Sequence, residues 1–290
     1  MIATATATAT HTSAQTTAHP SAKPDWFASW FDSEHYHRLY AHRDEREAFP
    51  FIDGLIARLR PAAGADMLDL GCGSGRHARR LASHGFRVTG MDLSAESLSR
   101  ARQQRSAWAF LRFVRQDMRE PFGDEAFDHV FSLFTSFGYF EDPADHLAVV
   151  RNMAASLRAG GRLVLDYLNV RDAERRLARD ETIVRDDVTY RITRWSDSEA
   201  IFKRIEIDDP RGARSPAAPL EHVERVAKLT LEDFRFLFAL SGLQIEETYG
   251  DYQLAPFDVD ASPRLIMIAR RPAGEVLPDA AHRLGRHAQV

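Results

Sequence analysis

Three carboxylates and one run of glycines carry the types and spacing that suit small-molecule chemistry. The run is Asp69-Leu70-Gly71-Cys72-Gly73-Ser74-Gly75. Glycines at alternate positions let the backbone turn tightly, and each lacks the Cβ that would otherwise stand between the chain and a ligand. Asp92 follows Asp69 by 23 residues, the distance at which open α/β folds set a carboxylate against ribose hydroxyls. Asp117 follows in Gln116-Asp117-Met118. Taken singly, each acid serves equally well as a helix cap, and the glycine run as a turn without a ligand. A dinucleotide loop needs glycine at its first, third and sixth positions, and the sixth position counted from Gly71 is Arg76, which departs from that pattern.

A second cluster is Phe134-Thr135-Ser136-Phe137-Gly138-Tyr139-Phe140. Aromatic faces stabilise cations, and the two hydroxyls donate and accept, although the same rings suit a core. The segment Tyr36 to Glu45 adds Tyr40 and Arg43 beside Arg38, with Arg46 just after it. Its charge run equally describes a solvated helix face. His37, His42, His129, His146 and His222 are scattered without metal-ligand spacing, so no metal is expected. Each of them is either a base or a packing residue. Cys72 is the one cysteine, which excludes an internal disulfide and fits a reducing cytoplasm.

These groups need strand tips to hold them. Short apolar runs Met67–Leu70, Arg87–Met91, Leu111–Arg115, Asp128–Leu133 and Arg162–Tyr167 alternate with helical stretches, as a parallel sheet with crossover helices does. Ser74 is expected to cap Gly75–Ser83, Ser94 to open Ala95–Arg105, and Asp142-Pro143 to start a helix ending before Gly160-Gly161. Thr230 with Asp233 caps a helix through Leu240, and strands Leu243–Tyr249 and Leu265–Ala269 follow. Between them, Thr182–Arg194 and Ala200–Asp208 alternate as antiparallel strands, with a Pro/Gly/Ala-rich loop at Pro210–Pro219.

The fold class read from this pattern is α/β: a doubly wound, mostly parallel seven-stranded sheet with an N-terminal helical cap and a small antiparallel β insertion. The segments are a disordered tail (1–24), the cap (25–60), a core (61–172), the insertion (173–228), the rest of the core (229–271) and a polar tail (272–290). The 290 residues carry a net charge of −4, which gives no electrostatic reason to expect nucleic acid. No apolar run approaches the roughly 20 residues of a membrane-spanning helix. Residues 1–24 have neither a basic start nor an apolar secretory core. A cytoplasmic location is therefore expected, and a homodimer is compatible with everything above.

From about Trp26 to Arg271 the chain resembles class I S-adenosylmethionine-dependent methyltransferases, most specifically at Asp69–Gly75 and least in the insertion. The resemblance implies S-adenosylmethionine as cofactor, with Gly71, Cys72 and Gly73 backing its methionine part. Asp69 would meet the ammonium directly or through water. Asp92 with Leu93 would take the ribose, Asp117 the adenine amino group, and the Met118 N–H a ring nitrogen. Phe134, Thr135, Ser136, Phe137 and Tyr139 would lie beside the sulfonium and the incoming nucleophile. The helix bearing Tyr40 and Arg43 would close the site, the Arg43 fork suiting a carboxylate, with Arg38 and Arg46 as competitors. In the insertion, His222 with Arg191, Arg194, Glu221 and Arg225 would contact the acceptor. The implied reaction is methyl transfer to a nitrogen or oxygen of a small molecule, leaving S-adenosylhomocysteine. Nitrogen is favoured because a neutral amine needs no strong base. The alternatives are a nicotinamide-dependent oxidoreductase and a nucleoside-binding protein without turnover.

Overall fold

Apolar runs in the middle of the chain pair side by side in parallel, as strands covered on both faces must. The structure, a computed structural model, describes residues 25–41, 45–104, 109–177, 180–210 and 220–273. The chain opens with helices α1 (Trp26–Trp30), α2 (Glu34–Leu39) and α3 (Glu45–Leu59). Then come β1 (Asp66–Leu70), α4 (Arg76–Ser83), β2 (Arg87–Asp92), α5 (Ala95–Gln103), β3 (Leu111–Arg115), β4 (Phe127–Ser132), α6 (Pro143–Ser156), β5 (Leu157–Leu168) and α7 (Val170–Arg175). An antiparallel section follows: β6 (Asp180–Arg185), β7 (Val188–Ser196), β8 (Ala200–Asp208) and β9 (Leu220–Ala227). The described chain ends with α8 (Leu231–Ala239), β10 (Gln244–Tyr249) and β11 (Arg264–Arg270).

The main sheet has the order β10-β11-β5-β4-β1-β2-β3. β1 to β5 run parallel, and β11 is antiparallel to both β5 and β10. The order reverses between β1 and β4, where the connections leave to opposite faces and a crevice opens at the carboxyl ends.

Alternate residues of the strands feed opposite faces. Leu68, Val130 and Leu163 pack with Met153 of α6 and Phe234 of α8. Met67, Val88, Phe131 and Ile266 pack with Phe51 and Leu55 of α3 and Leu81 of α4. Thus α3, grouped with the cap in the sequence reading, is a layer of the main sheet; truncating its fully buried Leu55 to alanine costs about 2–5 kcal/mol. A third core joins Trp30 and Leu39 to Val188, Tyr190, Ile192, Ile205 and Ile207. Helices α1 and α2 and the four-stranded sheet β6-β7-β8-β9 therefore share one core.

Local chemistry explains the remaining boundaries. Ser94, Asp142 and Thr230 cap α5, α6 and α8 through their side chains, Thr230 in a capping box with Asp233. Ser74 does not cap α4. That helix begins after Gly75 without a side-chain cap, and its free Ala78 N–H donates instead to Asp69 Oδ2 at 3.0 Å. Helix α6 ends at Ser156, before Gly160-Gly161, and these glycines lie inside β5. A Cβ on Gly161 would sit 2.9 Å from the Asp128 carbonyl, beside the irregularity between Phe127 and His129. The stretch Thr182–Arg194 is a hairpin, turned by Asp186 and Asp187 with φ of 47° and 65°; consecutive left-handed residues match the twist of the paired strands. The 1–24 tail, residues 211–219 of the Pro/Gly/Ala-rich loop and residues 274–290 lie outside the described residues.

Candidate functional site

The loop after β1 is pinned to the end of β2. Gly71 N–H and Cys72 N–H both donate to the Met91 carbonyl, at 2.8 and 3.0 Å. Gly73 N–H donates to Asp92 Oδ2 at 2.7 Å, and Ser94 N–H to Asp92 Oδ1 at 2.9 Å. The glycines serve different ends. A Cβ on Gly71 would sit 2.5 Å from Ser136 Cβ, so this glycine lets the tips of β1 and β4 approach. Gly73, at φ 54°, would carry its Cβ into space with no other atom within 4 Å.

That space belongs to a cavity of about 910 Å³ lined by Gly71, Cys72, Gly73, Asp92, Leu93, Asp117, Met118, Phe134, Thr135, Ser136, Tyr139 and Tyr40. Residues from four strand tips and the cap thus share one rim. Asp69, Phe137 and His222 do not line it. Arg43 lies outside the described residues; of its competitors, Arg46 lines the cavity, while Arg38 turns to Glu34, Asp186 and Asp209.

Burial dominates the electrostatics. It pushes the Asp69 carboxyl up to about 7 despite the bond from Ala78, and the nearby Asp92 charge pushes the same way. Asp92 is raised by burial too, opposed by the Ser94 and Gly73 N–H groups. The Cys72 thiol is pushed up by burial, then by both acids. For Asp117, burial raises the carboxyl but the Arg119 hydrogen bonds outweigh it, and the net shift is downward. Arg119 Nη2 donates to Asp117 Oδ2 at 2.6 Å, and its Nε reaches both oxygens at 3.1 Å. It also pairs with Asp25 and Asp145 and lies over the Phe27 and Phe140 rings. The Asp117 carboxylate is thus held in place, and any further donor shares it with Arg119. The sequence reading missed Arg119, whose only local signal is its place two residues after the acid.

The tip of β4 is strained. Phe134 and Thr135 have φ of 60° and 59°, a conformation costing of order 1–3 kcal/mol for each such residue. Buried Asp166 holds it. Phe134 N–H donates to Asp166 Oδ2 at 2.7 Å, and Arg264 bridges Asp166 Oδ1 (2.8 Å) and Thr135 Oγ1 (2.9 Å). Tyr252 donates to Asp166 Oδ2 and stacks on the Phe134 ring. Ser136 Oγ donates to the Leu133 carbonyl at 2.8 Å. Phe137, expected beside the reacting centre, is instead in the core against His146, Tyr167 and Phe234. The turn at Gly138 (φ 96°) packs so closely on Tyr167 that the next ring to reach the cavity is Tyr139.

Across the cavity, Tyr40 Oη donates to Glu224 Oε1 at 2.8 Å and Trp30 Nε1 to the same oxygen at 2.7 Å. Glu224 and Val226 of β9 line the cavity. The insertion residues expected there point elsewhere: His222 lies on the Trp30 ring at 4.6 Å, Arg194 pairs with Glu181, Arg191 with Asp208, and Arg225 donates to the Phe140 carbonyl. Glu221, exposed on β9, does not line the cavity either. Strand alternation sets Glu224 between His222 and Val226 on one face, a signal the sequence reading did not use. Two histidines line the cavity as well. His37 is lowered by burial and by Arg100, and His77 well below its ordinary value by burial and by Arg76 and Arg79.

Residues 67–161 match the family described as Methyltransferase domain, and they contain the glycine loop, both rim acids and the strained tip. That segment carries the methyltransferase-domain pattern. The putative methyltransferase YqeM of Bacillus subtilis is 41% identical over 101 residues, covering 34% of this chain and 41% of that protein. The Cypemycin N-terminal methyltransferase of a Streptomyces species is 26% identical over 231 residues, covering 75% of this chain and 89% of the relative. Among solved structures, the S-adenosylmethionine-bound amino pentose methyltransferase CalS10 of Micromonospora echinaspora superposes with a TM-score of 0.59 at 24% identity, covering 82% of this chain and 97% of that one. This chain thus spans less than half of the first relative and most of the other two. The rim has open space over Gly73, carboxylate oxygens at Asp92 and a polar edge at Asp117, an arrangement that fits S-adenosylmethionine. Among the described residues no helix is long and apolar enough to cross a membrane.

Proposed function

We propose that this protein is an S-adenosylmethionine-dependent methyltransferase that alkylates an amine nitrogen of a small molecule. The carrying observation is that Gly73, Asp92 and Asp117 share one rim with an aromatic wall built from the cap. Gly71, Cys72 and Gly73 would back the methionine part and Asp69 would reach its ammonium through water, since Asp69 lies beneath the cavity wall. Arg46 would face the carboxylate, the Tyr40 hydroxyl being taken up by Glu224. Asp92 with Leu93 would hold the ribose: each Asp92 oxygen takes one backbone N–H and keeps a lone pair for a hydroxyl. Asp117 and the Met118 N–H would meet the adenine edge, and Phe134 would lie by the sulfur.

S-adenosylmethionine, when bound, supplies a methyl group already activated on a sulfonium; as the N–C bond forms the S–C bond breaks, sulfur leaves as a neutral thioether, and the nitrogen releases one proton to water. The protein's share is alignment and exclusion of water. Phe134, Thr135 and Ser136, held by Asp166 and Arg264, keep the β4 tip in place, while the cap and β9 cover the acceptor side. Nitrogen is favoured over oxygen because the cavity histidines are held neutral by burial and so offer weak bases for a hydroxyl. The N-terminal and amino-sugar specificities named for two of the similar proteins point the same way. The cover also favours a small acceptor over a macromolecule.

The test incubates the protein with S-adenosylmethionine and a panel of primary amines and matched alcohols, following S-adenosylhomocysteine and locating the new methyl by mass spectrometry. Methylation on nitrogen is expected. Methylation confined to alcohols would overturn the assignment.

A further inference from the structure

We propose that Glu224 is the residue that reads the acceptor, and that the acceptor carries a protonated amine distinct from the neutral nitrogen that takes the methyl; this rests on the methyl-transfer reading above. Four rings that line the cavity touch in sequence: Tyr139 on Phe31 (5.1 Å between centroids), Phe31 on Tyr36 (5.0 Å) and Tyr36 on Tyr40 (5.0 Å). Such a wall attracts cations. At its Tyr40 end stands Glu224, whose side chain is only 16% exposed.

Hydrogen-bond logic fixes the position of this carboxylate. An ammonium has no acceptor, so Lys203 Nζ must donate to Tyr40 Oη. Tyr40 therefore sends its own proton to Glu224 Oε1, which also accepts from Trp30. Both neighbours need Oε1 as an acceptor, and they lock its position. Oε2 is different: Lys203 Nζ stands 3.9 Å from it, outside hydrogen-bond range. Lys203 is not part of the cavity lining and lies over the Tyr40 ring.

A carboxylate kept from water is costly unless a cation and hydrogen bonds meet its lone pairs. An acceptor ammonium entering along the aromatic wall would give Oε2 those bonds from the cavity side. A neutral alcohol of equal size would gain the ring contacts without the charge.

The test uses the protein saturated with S-adenosylhomocysteine, titrated with n-butylammonium chloride and, separately, n-butanol, with binding read by saturation-transfer NMR. The wild type is expected to bind the ammonium at least tenfold tighter than the alcohol. Glu224→Gln should lose that preference while S-adenosylhomocysteine affinity, which reports an intact fold, stays within about twofold. Lys203→Met removes the competing cation and should tighten ammonium binding at least threefold, a gain that a purely structural Lys203–Glu224 pair would not give. Equal binding of the two probes by the wild type, an unchanged preference in Glu224→Gln, or no gain in Lys203→Met would each overturn the proposal. Failure of the wild type to bind S-adenosylhomocysteine would instead count against the methyltransferase reading itself.

Discussion

The backbone N–H of Gly73 donates to Asp92 Oδ2 at 2.7 Å, so the acid that ends β2 shapes the loop that ends β1. One carboxylate thereby sets the glycine turn and keeps lone pairs facing the cavity. Asp92→Ala removes both and should weaken S-adenosylhomocysteine binding by about 1–3 kcal/mol, the scale of a hydrogen bond to a charged group. Asp92→Asn keeps an oxygen acceptor and should lose less. Titration calorimetry reads both, and full affinity in the alanine variant would remove Asp92 from the site.

Asp166 and Arg264 hold the strained Phe134–Thr135 tip, and each leaves the other unpaired when removed. Asp166→Asn and Arg264→Met should each destabilise by roughly 3–5 kcal/mol, the cost of stranding a buried charge. The double variant should cost clearly less than the sum. Denaturant unfolding of the four proteins measures the coupling. Strict additivity would show that the two side chains do not act as a pair.

Asp69 gives a pH dependence whose sign is fixed. Burial raises its folded-state carboxyl to about 7 from an ordinary 3.8, so between those values the folded chain keeps a proton that the unfolded chain releases. Its contribution is complete below about pH 4 and declines as pH rises toward 7, by at most about 4 kcal/mol. Asp69→Asn keeps an acceptor for the Ala78 N–H and cannot ionise. Relative to the wild type it should gain stability from pH 4 to pH 7 in denaturant titrations. A constant difference across that range would contradict the burial of a titrating group.

The parallel core was legible because its strands are short apolar runs, the first three leading into Gly71, Asp92 and Asp117, and the reversal of strand order brings those ends together. What stayed hidden depends on distant partners. Arg264 meets Asp166 from 98 residues away, and Tyr40 meets Glu224 from 184; no local spacing announces either pair. Phe137 and Tyr139 differ by two residues in one aromatic run, yet the Gly138 turn sends one to the core and the other to the cavity. Similarly, α3 reads as part of an N-terminal cap until the sheet it covers is in view.

The central claim is that the rim of Gly73, Asp92 and Asp117 takes a methionine-bearing nucleoside. Titration calorimetry of the wild-type protein with S-adenosylmethionine and, in parallel, with NADH tests it most directly. Saturable one-to-one binding of S-adenosylmethionine with no heat from NADH is the predicted result. Binding of NADH alone would contradict it.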